Sequence, residues 1–342
     1  MLMTNIEKAN FLIEKWNQNT DNEYIFKTSG STGIPKEITF SKEKVKLSAQ
    51  NTINFLGLNT TDKALINLNI DFIAGAMMLI RCLEANMNFR VIEPSGNPFE
   101  NINIGEEFSF YSFVPQQLSN IIVNKSNIEK LNKAKAIIVG GAAMSDELIA
   151  NCQNIKSPIY STYGMTETIS HIALKQINGT NKSDCFELLN GFEIDTDERD
   201  CLCIKSFITD NKWITTNDIV TIDENKKTFK FLGRYDDVIN SGGIKIFPNE
   251  IENLISKYFS ENKIQFNYFV SSLQDEYFGE TVCLFIESKI QDKDLKNKLF
   301  TFLKQHLHSY KIPKKIFFIS KFEFTPTLKI DKKGTISKFI LV

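Results

Sequence analysis

Thr28-Ser29-Gly30-Ser31-Thr32-Gly33-Ile34-Pro35-Lys36 interleaves hydroxyl residues with Gly30 and Gly33 and ends on a lysine. Backbone N–H groups freed by the glycines, together with the hydroxyls, can wrap phosphate oxygens at close range. Lys36 adds a mobile positive charge. A Walker A loop needs four residues between its first glycine and a Gly-Lys-Ser/Thr triplet. Here Pro35 precedes the lysine and Glu37 follows it, so that match fails. A plain Ser/Gly linker would leave the Pro-Lys ending unexplained.

Outward from this loop, residues from about Phe40 to Tyr160 alternate between helical and strand patterns. Ser41 is placed to cap a helix that runs to about Phe55. Apolar strands are expected at Ala64–Leu68, Phe89–Ile92, Ser109–Val114, Ala136–Val139 and Ile159–Thr162. Helices are expected near Ala74–Glu84, Gln116–Val123 and Asp146–Cys152. Apolar strands separated by helices predict an α/β fold with a parallel sheet covered on both faces. Ligands then bind beyond the carboxyl ends of the strands. From Phe186 to Leu232 short alternating strands predict an antiparallel β subdomain packed on this first layer. After Gly233 a separate α+β unit follows, with a helix from Pro248, strands at Ile264–Val270 and Thr281–Ile286, and a helix over Asp292–Leu307. The division is set at 1–235 and 236–342.

A length of 342 residues suits two domains. The formal net charge of −1 gives no global field for nucleic acid or an anionic membrane. Residues Met1–Trp16 read as a short amphipathic helix, not a signal peptide, and the apolar run Ile73–Ile80 is too short to span a bilayer. The six cysteines include no CxxC pair, so they read as free thiols in a reducing, cytoplasmic compartment. A homo-oligomer is compatible with these properties.

The order T-S-G-S-T-G-x-P-K resembles the phosphate loop of the adenylate-forming, AMP-binding superfamily, which includes acyl-CoA synthetases, nonribosomal adenylation domains and luciferases. Further motifs follow in that family's order. Tyr160-Ser161-Thr162-Tyr163-Gly164-Met165-Thr166-Glu167 resembles Y-G-x-T-E. The resemblance implies that Tyr163 stacks on adenine beside Gly164, Thr166 touches phosphate and Glu167 holds Mg²⁺. Asp218, in Thr215-Thr216-Asn217-Asp218, matches the T-G-D aspartate that accepts the ribose diol. Asn217 replaces the usual glycine, and its tolerance of positive φ is expected to preserve a turn. Gly233-Arg234-Tyr235-Asp236-Asp237-Val238-Ile239 matches G-R-x-D-D-x-I, which implies that Arg234 contacts the nucleotide and Asp236 is a hinge. Gly242, Gly243 and Lys245 match the glycine loop that lines a pantetheine channel in the thioester step. Gly140-Gly141-Ala142 resembles a turn bordering the adenine and acyl pockets. Thr325–Lys332 resembles the segment carrying the catalytic lysine, assigned to Lys329 with Lys332 as the alternative. The implied fold is a large, shortened N-terminal α/β domain with a β subdomain and a small mobile C-terminal domain. The implied reactants are ATP, Mg²⁺, coenzyme A and a small aromatic or acyl carboxylate.

Most members carry a large subdomain ahead of the phosphate loop, whereas only a short segment precedes it here. That shortened form resembles some bacterial o-succinylbenzoate–CoA ligases of menaquinone biosynthesis. Phe113-Val114-Pro115-Gln116-Gln117-Leu118 resembles a V-P-x-Q-L stretch of those ligases. Ile73 to Arg81, with Gly75, resembles their acid-pocket helix, though no histidine precedes Gly75. Arg81 is the candidate partner for a second carboxylate on the substrate, which a guanidinium pairs bidentately; a structural ion pair is its alternative. His171 reads as a packing histidine, and His306 and His308 as solvent-facing residues on a C-terminal helix. The alternatives in function are another aryl- or acyl-CoA ligase, a carrier-loading adenylating enzyme, and a homologue that binds nucleotide without turnover.

Overall fold

The structure, a computed structural model, describes residues 3–18, 22–27, 37–103, 105–324 and 330–340. Helix α1 (Asn5–Asn17) opens on a capping box between Thr4 and Glu7. Strands β1 (Glu23–Lys27) and β2 (Glu37–Ser41) form an antiparallel pair. Ser41 then caps α2 (Lys42–Leu56), accepting the Lys44 N–H, and Gly57 ends it at φ 63°.

Strands β3 (Lys63–Ile66), β4 (Asn88–Val91), β5 (Phe110–Phe113), β6 (Ala136–Val139) and β7 (Ile159–Gly164) pair in parallel. Successive side chains leave opposite faces of this sheet. Ala64, Ile66, Ala136 and Ile138 enter one core, with α2 and α3 (Ile73–Glu84). Leu65, Tyr111, Phe113, Ile137 and Val139 enter the other, under α4 (Pro115–Ile122), α5 (Lys125–Leu131) and α6 (Asp146–Cys152). Burial on both faces explains the unbroken apolar runs Ala64-Leu65-Ile66 and Ala136-Ile137-Ile138-Val139. Each large side chain sealed here contributes about 1.5–3 kcal/mol.

The β-rich segment packs on the first layer, sharing a core with it through Phe186, Phe192, Ile194 and Phe229, and it also continues the first sheet. Strand β8 (His171–Gln176) turns back antiparallel to β7 and carries the hydrogen-bond ladder onward. Strands β9 (Phe186–Leu188), β10 (Phe192–Thr196), β11 (Cys201–Ser206), β12 (Ile214–Ile222) and β13 (Thr228–Arg234) extend the same sheet. Among the described residues its order is β10-β11-β12-β13-β9-β8-β7-β6-β5-β3-β4. The alternating pattern is correct, but a strand's sheet partner is not encoded in its periodicity.

After a 3₁₀ turn at Tyr235–Asp237 a second sheet begins. Its strands are β14 (Ile239–Ser241), β15 (Ile244–Ile246), β16 (Tyr268–Asp275), β17 (Gly279–Glu287) and β18 (Lys315–Ile319). Helices α7 (Pro248–Glu261) and α8 (Lys293–His306) cover one face through Ile251, Ile255, Leu295, Leu299 and Leu303. Phe269, Phe285 and Phe322 fill the other, with α9 (Lys332–Ile340) beside them. Two expected boundaries move. The strand expected from Ile264 starts at Tyr268, and α8 ends before His308, which is exposed beyond it. No helix among the described residues is long and apolar enough to cross a membrane.

Candidate active site

Strand β7 has a parallel neighbour on one side and an antiparallel one on the other, so its carboxyl end lies at the seam of the sheet. The chain leaves it at Gly164, makes a 3₁₀ turn over Thr166–Thr168 and returns at His171. A Cβ at Gly164 would fall 2.2 Å from the Ser170 carbonyl oxygen and 2.4 Å from the His171 Cα. Only glycine allows that approach. The buried Thr168 hydroxyl lies 2.8 Å from the Ser170 carbonyl and accepts the Met165 N–H at 3.2 Å. These bonds and full burial hold Ile169 at φ 64°. A β-branched residue in that region stores about 1–3 kcal/mol of strain. Thr166 is half-buried, and Glu167 projects from the turn with no hydrogen bond or ion pair among the described residues.

Behind the turn, the Tyr163 phenol donates to Asp218 at 2.6 Å. Its ring meets Phe229 and Phe186 edge-on, at 5.0 and 5.7 Å. Burial first, and the Asp218 charge second, push the phenol well above its usual pKa. Asp218 and Arg234 are cross-strand partners of β12 and β13, 3.6 Å apart at their charged atoms. Arg234 also lies 3.7 Å from Asp236. Gly140 abuts the same strand: a Cβ there would sit 2.2 Å from the Thr162 hydroxyl, and Gly141 follows at φ 85°. Tyr163, Gly164, Asp218, Arg234, Asp236 and Gly141 thus gather around one strand end. Asn217 needs no turn. It continues β12 without positive φ, and its amide donates to Asp236 at 3.1 Å.

Arg81 lies in the last turn of α3 and is 2% exposed. Its Nη2 donates to the Ser170 hydroxyl at 2.7 Å, while Nε has no partner. Among the described residues no carboxylate pairs with it, so the structural ion pair weighed from sequence is not formed there. Burial lowers its pKa to about 10, which leaves it charged at neutral pH. His171 bridges Thr52, at 2.8 Å from Nε2, and Ser170, at 3.4 Å from Nδ1. Burial, then the Arg81 charge, hold its pKa well below the ordinary value, so the ring is neutral. Gly75 has a packing reason: a Cβ there would lie 2.3 Å from the Asn69 carbonyl oxygen. Sequence reading missed Thr52 and Ser170. Thr52 shares a helical stripe with Val45, Ala49 and Leu56, a polar residue on a buried face, and that signal was available.

Gly242 and Gly243, at φ 59° and 80°, form the two-residue turn joining β14 to β15. The Gly242 N–H donates to the Phe278 carbonyl at 2.9 Å, and Lys245 is exposed. Lys332 pairs with Glu252 at 3.0 Å and donates to the Val270 carbonyl, contacts that occupy it inside the second unit. Thr28, Ser29, Gly30, Ser31, Thr32, Gly33, Lys36 and Lys329 lie outside the described residues.

Residues 4–188 match the family described as AMP-binding enzyme. The chain belongs to the AMP-binding enzyme family. This AMP-binding enzyme is 35% identical to an acyl-CoA synthetase (AMP-forming)/AMP-acid ligase II-like protein from Dyadobacter fermentans, with a TM-score of 0.66 over 98% of this chain and 94% of that one. It has the fold of the O-succinylbenzoate coenzyme A synthetase from Bacillus subtilis solved with ATP and magnesium ion, at 22% identity and a TM-score of 0.73, over 91% of this chain and 69% of that one. A 2-succinylbenzoate–CoA ligase from Geobacillus sp. is 27% identical over 325 residues, 87% of this chain. The match spans 65% of that relative's length. For the Escherichia coli ligase of the same name the identity is 27%, over 80% of this chain and 61% of the relative.

Proposed function

We propose that this AMP-binding enzyme is an AMP-forming acid–CoA ligase whose acid is o-succinylbenzoate, activated for menaquinone biosynthesis. In the first step a carboxylate oxygen of the acid bonds to the α-phosphorus of ATP, and the bond to pyrophosphate breaks. In the second the thiol sulfur of coenzyme A bonds to the acyl carbon, and AMP leaves with the electron pair. The observation that carries the first step is the cluster at the end of β7. Tyr163 supplies a ring face for the base, Asp218 a carboxylate for the ribose hydroxyls, and Arg234 a cation beside them. Glu167, a carboxylate without a partner among the described residues, fits a hard cation taken with oxygen ligands from phosphate. Glu167 would hold Mg²⁺ there, and the cation would supply positive charge to offset that of the departing pyrophosphate. Thr166 on the same turn and the loop Thr28–Lys36 hold the phosphates, and Lys329 places positive charge beside the reacting anions.

The acid is argued from Arg81. A buried, charged guanidinium without a carboxylate is costly unless an anion completes it. The free carboxylate of a diacid does so, while Gly75 lets the loop before α3 pack against the helix's first turn. The six free cysteines agree with a reducing cytoplasm. The division at Asp236 separates two sheets with independent cores, which lets the second unit turn and bring Gly242, Gly243 and Lys245 to the acyl carbon.

The test is mass spectrometry of the product formed from ATP, coenzyme A and o-succinylbenzoate, with pyrophosphate exchange run across a panel of acids. Formation of o-succinylbenzoyl-CoA is expected. Exchange with other acids only would replace the substrate, and exchange with none despite ATP binding would leave a non-catalytic homologue.

A further inference from the structure

In T-G-D the residue before the aspartate has no side chain; here it is Asn217, and its amide reaches the next motif. Nδ2 donates to Asp236 Oδ2 at 3.1 Å, and Oδ1 accepts from Arg199 Nη1 at 3.3 Å. Arg199 also donates to the Thr216 carbonyl at 3.4 Å and lies 4.8 Å from the centroid of the Tyr235 ring. It is itself held. In the turn between β10 and β11, the Asp197 carboxylate accepts Arg199 Nε at 2.8 Å and the N–H groups of Arg199 and Cys201, each at 2.9 Å.

The chemistry at position 217 is specific. One neighbour is a guanidinium, which only donates, and the other is a carboxylate, which only accepts. An amide satisfies both at once. A glycine reaches neither, and an aspartate would set a second negative charge against Asp236. The two residues gripped, Tyr235 and Asp236, open the four-residue link 235–238 between β13 of the large sheet and β14 of the second.

We propose that Arg199 and Asn217 are positioning residues that latch this joint and hold the second unit in the orientation seen here. The proposal rests on the reading of Asp236 as the hinge. Turning about Asp236 rotates its backbone, so it breaks the Asn217–Asp236 bond and pulls Tyr235 from the Arg199 guanidinium. The latch therefore sets the ratio of the two half-reactions. Arg234, 3.7 Å from Asp236, makes a weaker contact that remains when the amide is removed.

The test compares wild-type protein with Asn217→Ala, Asn217→Asp and Arg199→Gln. Hydrogen exchange of the backbone amides at 235–241 is read without ligands, with β6 as the control for folding. Each variant is expected to speed exchange at 235–241 about fivefold, equal to about 1 kcal/mol, while β6 is unchanged. The ratio of pyrophosphate exchange to coenzyme A-dependent AMP release in a single turnover is expected to shift by a similar factor. Rates at 235–241 within twofold of wild type in both Asn217→Ala and Arg199→Gln would overturn the latch. Asp236→Pro tests the hinge separately. Equal loss of both half-reactions there would remove the hinge, whereas selective loss of one beside unchanged Asn217 and Arg199 variants would keep the hinge and remove the latch.

Discussion

The hydroxyl of Tyr163 and the carboxylate of Asp218 meet at 2.6 Å although β7 and β12 are not neighbours in the sheet. With β8, β9 and β13 between them, a flat sheet would hold the two strands about 19 Å apart. The antiparallel half must therefore curl over, with the rings of Phe186 and Phe229 inside the curl. Tyr163→Phe keeps the ring and removes the bond, so it is expected to cost about 2 kcal/mol in denaturant unfolding, the scale of a hydrogen bond to a charged group. A cost under about 0.5 kcal/mol would mean that the rings alone maintain the curl.

Gly164 and Gly140 separate two kinds of crowding. At Gly164 the obstacles are backbone atoms of Ser170 and His171, which cannot move without distorting the turn. Gly164→Ala is expected to cost about 3 kcal/mol, at the upper end for overpacking, and to abolish pyrophosphate exchange. At Gly140 the closest obstacle is the hydroxyl of Thr162. Gly140→Ala is expected to be rescued in melting temperature by adding Thr162→Ala, a rescue with no counterpart at Gly164.

His171 makes stability depend on pH. The unfolded residue titrates near 6.5, while burial and Arg81 keep the folded ring neutral far below that. Below pH 6.5 the unfolded state therefore binds more protons than the folded one. Stability contributed by the neutral ring is complete above 6.5 and is lost as pH falls towards the folded pKa, by up to about 1.4 kcal/mol per unit. His171→Gln is expected to show a smaller drop between pH 7.5 and 5.5 in urea unfolding. Parallel curves for the two proteins would refute this.

Arg81 tests function against stability. Replacing even a buried ion pair by apolar residues of similar volume is often neutral or stabilising by about 1–4 kcal/mol, and Arg81 has no carboxylate among the described residues to leave behind. Arg81→Met is expected to melt no lower than wild type. It should also raise the KM for a diacid far more than for a matched monoacid. Equal KM changes for both acids would show that no carboxylate reaches the guanidinium.

Local features were legible in the sequence. Strand β6 and helix α6 fall on the expected residues, and Ser41 caps α2, because periodicity and caps are written within a few residues. The continuity of the large sheet was not legible, since it depends on β8 and β9 finding partners through registers that no pattern states. The motifs gave Tyr163, Asp218 and Arg234 individually, and folding brought them together. Ser170 and Arg199 carry no mark of their own; each acquires its role from a partner distant in sequence.

The turn from Met165 to Ser170 also has a place in time. It closes a hairpin between adjacent strands, a short loop with little entropy to lose. The contacts that seal it come from far along the chain: Arg81 is 89 residues from Ser170, and Thr52 is 119 from His171. Contacts of such separation are expected to form late, after the hairpin and α3 are in place. Weakening the Thr52–His171 contact should then hasten unfolding and leave the folding rate nearly unchanged. The polar layer beneath the turn thereby governs how long the folded site survives.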